Sequence, residues 1–144
     1  MNFSVPRAFE MPIVRAALGL TLTFAVAESA AETPPELHKL RAAFAAAVAG
    51  RNIAAMAALS RFPLTNEVYG APKSIDRADF ASSVVVNGYW DEADCLRTAP
   101  LEQDVREDKV KAAWFIACDH GKSIFHFTRD RGRWVYAGFE TIGK

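Results

Sequence analysis

The chain has 144 residues, and its 17 basic and 17 acidic side chains give a formal net charge of zero at pH 7. A neutral chain with scattered lysines and arginines lacks the clustered positive charge that non-specific nucleic-acid binding requires, so no nucleic acid is expected as a partner. Its three histidines show no metal-ligand spacing, so no metal and no cofactor are expected either.

The start of the chain has the pattern of a secretory signal. Arg7 and Arg15 come before an apolar run over residues 16–27, and small residues follow at 29–31. The run is shorter than the roughly 20 residues that a membrane-spanning helix needs, so no stable membrane span is expected. We predict a signal peptide over residues 1–31 and a periplasmic or secreted protein.

Two details of this segment stay open. Cleavage after Ala31 is preferred, because Thr33 and two prolines then begin the folded part, but Ala27 also suits a cleavage site. The start is Met1 or Met11, since Glu10 is unfavourable in a signal. The remaining residues, 32–144, have the length of a single domain.

Cys95 and Cys118 are the two cysteines of the chain. In an oxidising compartment such a pair usually forms a disulfide. A redox or metal pair is less favoured, because there is no C-x-x-C spacing and no neighbouring histidine cluster. We therefore expect a structural Cys95–Cys118 disulfide.

The segment after the signal predicts two helices. Residues 33–36, Thr-Pro-Pro-Glu, have the form of a capping box with Thr33 as its first residue. Helical spacing then predicts one buried face, formed by Leu37, Leu40, Phe44, Ala47 and Val48. Gly50 ends this helix, and Asn52 can cap a second one over residues 53–59.

The middle of the chain predicts shorter elements. Alternation over residues 64–69 indicates an edge strand, with Thr65 and Glu67 on one face. Asp76 then starts a short helix whose buried side contains Phe80, Val84 and Val85.

Three strands are predicted in the last third, over residues 110–118, 123–128 and 133–142. Turns at residues 119–122 and 129–132 connect them, and Gly138 indicates a bulge in the last strand. Both sides of these strands are rich in apolar residues. One face must therefore meet the helices, while the other bends over a cavity or meets a partner.

Helices followed by an antiparallel meander are also the layout of the nuclear transport factor 2-like (NTF2-like) superfamily. The chain resembles that family from about Leu37 to Ile142, and the segments that carry the resemblance are residues 37–48, 52–64, 77–80 and 132–138. The resemblance implies an α+β cone, in which N-terminal helices pack on a curved antiparallel sheet with a pocket between them, and frequent dimers. It carries over no function, because members include enzymes, binders and interaction modules.

Five side chains are candidates for lining such a pocket: Tyr89, Trp90, Trp114, His126 and Tyr136. Their alternative role is core packing with the polar tip at the rim. His126 lies opposite Phe125 and Phe127 on its strand, and it is a candidate general base if the cone interior is on its side. No residue is assigned a catalytic role, because the sequence has neither a nucleophile elbow nor a Gly-rich phosphate loop.

We therefore expect a ligand-binding or protein-interaction module, taking a small apolar ligand or a protein partner. An enzyme is less favoured, and two alternatives stay open. One is a small isomerase, dehydratase or hydrolase with a pocket histidine or carboxylate as base. The other is a structural homodimer of the cell envelope that pairs through its sheet face.

Overall fold

A computed structural model describes residues 32–105 and 113–142, and all of these except Glu32 fall in the compact unit Thr33–Lys144. The predicted signal, residues 1–31, lies outside the described residues. In chain order the described elements are α1 (Pro35–Ala49), α2 (Ile53–Ala58), β1 (Ser60–Val68), β2 (Ala71–Ile75), a 3-10 turn (Arg77–Asp79), α3 (Phe80–Val86), a 3-10 turn (Tyr89–Glu92), α4 (Ala93–Thr98), β3 (Glu102–Gln103), β4 (Ala113–Cys118), β5 (Ser123–Asp130) and β6 (Arg133–Thr141).

The helix α1 packs on a curved sheet through the face that its sequence spacing predicts. Leu37, Leu40, Phe44, Ala47 and Val48 are all buried. The Phe44 ring contacts Tyr136 of β6, with ring centroids 4.4 Å apart, and Phe127 of β5, at 6.0 Å. The helix ends at Gly50, as predicted, and the Asn52 side chain accepts a hydrogen bond from the Ala55 N–H and caps α2.

The predicted capping box at the start of α1 is wrong. The helix begins at Pro35, its N-cap is Pro34, and no side chain caps it. Pro34 is extended, with φ −59° and ψ 137°, because a residue that precedes proline is pushed out of the helical region. The N–H groups of Leu37 and His38 both donate to the Pro34 carbonyl.

The described strands form one mixed sheet in the order β2-β1-β6-β5-β4-β3. All neighbouring pairs are antiparallel except β1 and β6, which run parallel. The sheet is therefore mixed where an antiparallel one was predicted, while the α+β arrangement of helices on a curved sheet is confirmed.

The predicted edge strand over residues 64–69 lies inside the sheet. It begins earlier, at Ser60, and β2 covers its outer side through a hairpin at Tyr69 and Gly70. Both turn residues have positive φ, which suits a two-residue hairpin. The true edge is β2, where Pro72 is tolerated because an edge strand needs fewer N–H donors.

Smaller differences concern single residues. Phe80 and Val84 are buried on α3 as predicted, but Val85 is 62% exposed, so its predicted burial is wrong. The turn predicted over residues 129–132 is only Arg131 and Gly132, because β5 continues to Asp130. The first residues of the strand predicted over 110–118 lie outside the described residues.

Cys95 of α4 and Cys118 of β4 form the predicted disulfide, with their α-carbons 5.9 Å apart. The bond ties α4 to the end of β4. Arg41 ties α1 to α4 by donating from Nε to the Leu96 carbonyl at 2.7 Å. In the described part of the chain, none of the helices is both long and apolar enough to cross a membrane.

Candidate functional site

The helix-facing side of the sheet is filled by aromatic rings. Phe125 of β5 and Phe139 of β6 lie on this side, and both rings contact Tyr89, with centroids 5.2 Å away. All three side chains are at most 2% exposed. The space around Tyr89 is therefore packed core, the alternative role that the sequence left open for the aromatic candidates.

Tyr89 and Tyr136 form a buried hydrogen-bonded pair through their hydroxyl groups. Burial raises the pKa of Tyr89 well above its usual value. Burial raises the pKa of Tyr136 too, and the neighbouring Tyr89 raises it further. Both phenols are thus held neutral, and neither residue lines the cavities described below.

The five sequence candidates do not come together in one pocket. Trp114 is buried on β4, on the same side of the sheet as the tyrosine pair. Trp90 is half-buried, and the Arg51 guanidinium lies 5.7 Å from its ring centroid. His126 lies on the opposite face of the sheet, because β5 alternates sides and its neighbours Phe125 and Phe127 point to the helices.

A cavity of about 490 Å³ opens on that opposite face, which we call the outer face. Its lining comes from the strands β1, β6 and β5, with Ala113 added from β4. Thr65 and Glu67 of β1 form one wall, and His126 and Thr128 of β5 form the other. Between them lie the β6 residues Ala137, Gly138 and Glu140. A volume of this size falls within the range of small-molecule sites.

Gly138 is the reason that the outer face has a hollow. It pairs with Thr65 on one side and with His126 on the other, so the three residues form a row across the sheet. The middle residue of the row has no side chain. The register shift at His126 and Phe127, opposite Ala137, is the bulge that the sequence predicted beside Gly138.

The cavity is rich in hydrogen-bond acceptors. Glu67 and Glu140 are direct neighbours on the paired strands β1 and β6, and both line the cavity. Like charges directly opposite one another destabilise a sheet, so this pair is costly for the fold alone. The His126 Nε2 atom lies 4.0 Å from a carboxylate oxygen of Glu140, a favourable contact when the imidazole is protonated.

An apolar annex adjoins this cavity. It has a volume of about 220 Å³, and Phe115, Ile124 and Val105 supply its apolar lining. His126 lines both spaces, and it is the register partner of Phe115. The polar cavity and the apolar annex therefore meet at His126.

Part of this site was predicted from the sequence. Alternation placed Thr65 and Glu67 on one face of their strand and His126 opposite the phenylalanines. It missed Glu140, because its neighbour on β1 is set by a pairing across more than 70 positions of the chain. Arg61 also lines the cavity, and its only signal was its position next to the helix-to-strand junction.

One group of metal-capable side chains occurs in the described residues, and it lies elsewhere. Glu92, Cys95 and Cys118 have ligand atoms within 4.8 Å of one another. Both sulfurs are joined in the disulfide, so neither supplies the thiolate that a metal would need. Burial raises the pKa of Glu92, and the nearby charges of Asp119 and Asp91 raise it further.

Comparisons with protein-family models and with curated proteins gave no match. Solved structures resemble the chain in fold. An NTF2-like protein of unknown function from Pseudomonas putida KT2440 has 12% identity over 76% of this chain and 84% of its own, with a TM-score of 0.41. An NTF2-like protein of unknown function from Shewanella oneidensis MR-1 has 11% identity over 75% of this chain and 97% of its own, with a TM-score of 0.42. At these values neither structure carries a function over to this chain.

Proposed function

We propose that this protein is an exported binding domain that holds a small molecule in the outer-face cavity. The observation that carries the proposal is the contrast between the two sides of the sheet. The helix-facing side is filled by aromatic rings, whereas the outer face has a hollow of about 490 Å³ with polar walls. A concave site of this volume with polar groups that converge on it is the default candidate for a ligand pocket.

The lining indicates the chemistry of the ligand. Glu67, Glu140 and the hydroxyls of Thr65 and Thr128 all accept hydrogen bonds. The matching molecule carries several donors, such as hydroxyl groups, together with an acceptor for the Arg61 guanidinium, which only donates. Its apolar part would extend past His126 into the annex beside Phe115 and Ile124. This ligand is more polar than the apolar one expected from the sequence.

The test is native mass spectrometry of the protein purified from its natural compartment. We expect an additional mass that disappears on denaturation. Thr65→Trp should abolish it, because Thr65 is exposed and a ring there would cover Gly138. Thr98→Trp, on the exposed side of α4, is the matched control and should keep the additional mass. Equal retention in both variants, or a bare wild-type protein, would contradict the proposal.

Export is the second part of the proposal. The signal pattern of residues 1–31 supports it, and the Cys95–Cys118 disulfide is compatible with an oxidising compartment. The mass of the mature protein tests it. A chain that begins at residue 32 or 28 and appears in the periplasmic or secreted fraction is expected, while a full-length cytoplasmic chain would contradict export.

An acid–base enzyme is the second candidate, favoured by the contact between His126 and Glu140. A carboxylate 4.0 Å from Nε2 can stabilise an imidazolium, as a general base requires. The binding domain ranks first because this contact is longer than a hydrogen bond. The released molecule distinguishes the two: a binding domain returns it unchanged after prolonged incubation, and an enzyme converts it unless His126 is replaced by Gln.

A further inference from the structure

A second concave surface lies between the first turns of α1 and the tip of the β5–β6 hairpin. Its volume is about 520 Å³. We call it the hairpin groove and define it by an apolar floor and a cationic rim. The floor is Leu40, Leu59 and Trp134, and the rim is Lys39, Arg129 and Arg133.

The floor is built from side chains that the fold itself needs. Leu40 is 7% exposed and Trp134 is 9% exposed, so each presents only one edge to the groove. Arg129 and Trp134 are register partners, and the guanidinium carbon lies 5.7 Å from the centroid of the indole. This contact holds the cation at the border of the apolar surface.

The rim has more positive charge than the described residues neutralise. Within residues 32–105 and 113–142, none of Lys39, Arg129 and Arg133 takes part in an ion pair. The Arg129 guanidinium donates one long hydrogen bond, of 3.4 Å, to the Gly132 carbonyl. Glu36 is the single carboxylate among the described lining residues, so the groove keeps a positive balance.

We propose that the hairpin groove binds an amphipathic organic anion, with a carboxylate head and an aliphatic chain. The head would lie beside Arg129, which is on the Trp134 side of the hairpin and whose guanidinium offers paired N–H donors, with Lys39 of α1 as the second cation of the lining. The chain would lie along Leu40, Leu59 and the edge of Trp134. The site is separate from the outer-face cavity, because the two share no lining residue.

Isothermal titration of the purified protein with dodecanoate, kept below its micellar concentration, tests the proposal. We expect saturable binding at one site. Dodecyltrimethylammonium, with the same chain and a cationic head, should not bind, and butyrate should bind far more weakly because it lacks the long chain. Equal binding of the two dodecyl compounds would overturn the proposal, and so would no binding of dodecanoate.

Two variants on neighbouring positions of α1 locate the site. Ala43 lines the groove, and Ala42 is an exposed neighbour that does not. Ala43→Trp should block dodecanoate, whereas Ala42→Trp should leave its affinity unchanged. Replacing both Lys39 and Arg129 with Gln should weaken binding about tenfold or more, as expected for lost charged hydrogen bonds.

The substituted residues are also chosen so that a loss of binding is not caused by a loss of folding. Lys39, Ala42, Ala43 and Arg129 are all exposed, so melting temperatures near that of the wild type are expected. Lys73→Gln, an exposed cation on the edge strand β2, controls for a general effect of charge. Dodecanoate binding that is unaffected by Ala43→Trp would place the ligand elsewhere and overturn the proposal.

Discussion

The α-carbon of Gly138 faces the backbone of Thr65 so closely that a β-carbon at that position would overlap the Thr65 carbonyl oxygen. The carbonyl carbon and the amide nitrogen of Thr65 would lie only 3.1 and 3.2 Å away. The obstacle is backbone in the neighbouring strand β1, which cannot move aside as a flexible side chain can. The parallel pairing of β1 and β6 therefore depends on a glycine here, and the outer-face cavity is a by-product of that requirement.

Gly138→Ala should destabilise the protein strongly. Overpacking in a well-ordered interior commonly costs about 1–3 kcal/mol, and a clash with backbone belongs at the upper end of that range. For a domain of this size each kcal/mol lowers the melting temperature by about 4–8 °C. Thermal unfolding followed by circular dichroism measures the effect.

Gly50→Ala is the matched control for that experiment. Gly50 has φ −87°, which any residue can adopt, and its β-carbon would lie 3.4 Å from the Ala46 carbonyl oxygen. We expect a change within about 0.5 kcal/mol, typical of a tolerated surface substitution. Similar losses in both variants would show that Thr65 is not the cause.

The effects on stability of removing the two tyrosine hydroxyl groups should not be additive. Tyr89→Phe removes one hydroxyl and leaves the buried hydroxyl of Tyr136 without this partner, which costs about 1–3 kcal/mol. Tyr136→Phe should cost a similar amount. Replacing both should cost less than the sum, because no orphaned hydroxyl of the pair remains. Denaturant unfolding in a double-mutant cycle measures this coupling, and strict additivity would contradict it.

Stability should fall in alkaline solution because of the same two side chains. Folding raises the pKa of Tyr89 and of Tyr136 above the unfolded value of about 10. Below pH 10 the folded and the unfolded chain both keep these phenolic protons, so the pair adds no pH dependence to the free energy of unfolding. Above it the unfolded chain releases protons that the folded chain keeps. The free energy of unfolding should then drop by about 1.4 kcal/mol per pH unit for each tyrosine.

The chain has a third tyrosine that serves as the control for this slope. Tyr69 is 60% exposed. Tyr69→Phe should leave the alkaline slope unchanged, while the double variant at positions 89 and 136 should flatten it. Unfolding free energies between pH 8 and pH 11 make the comparison, and an unchanged slope in the double variant would contradict the assignment.

The disulfide should stabilise the fold by restricting the unfolded chain. Cys95 and Cys118 are 23 positions apart, and closing a loop of this length is worth about 3 kcal/mol in the chain-entropy model. The variant with serine at both positions should melt lower than the oxidised wild type and should not respond to reductant. Reductant should lower the melting temperature of the wild type to that of the variant. A change in the melting temperature of the variant on adding reductant would contradict this account.

Local sequence patterns were sufficient for the features that depend on neighbouring residues. The buried face of α1 follows from helical spacing, and the Asn52 cap follows from the chemistry of its side chain. The hairpin at residues 119–122 and the bulge beside Gly138 were also predicted from short segments. Each of these features has a cause within a few positions of the chain.

The capping box failed for a local reason, the consecutive prolines 34 and 35, whereas the errors about the sheet arise where a distant segment decides the outcome. The pairing of Thr65 with Gly138 places β1 inside the sheet, and no pattern in residues 64–69 indicates this pairing. The same pairing brings Glu67 beside Glu140 and so defines the polar part of the cavity. Both faces of the last strands are apolar, so the sequence could not decide which side is filled by rings and which side is hollow.

The bond between Cys95 and Cys118 also closes a covalent ring over residues 95–118. A protease that cuts once anywhere inside this ring leaves the two resulting pieces attached to each other. A cut outside the ring separates them at once. A nicked protein would therefore migrate as one species on a non-reducing gel and as two on a reducing gel, so this part of the chain can be cleaved without losing the connection between the short helices and the sheet.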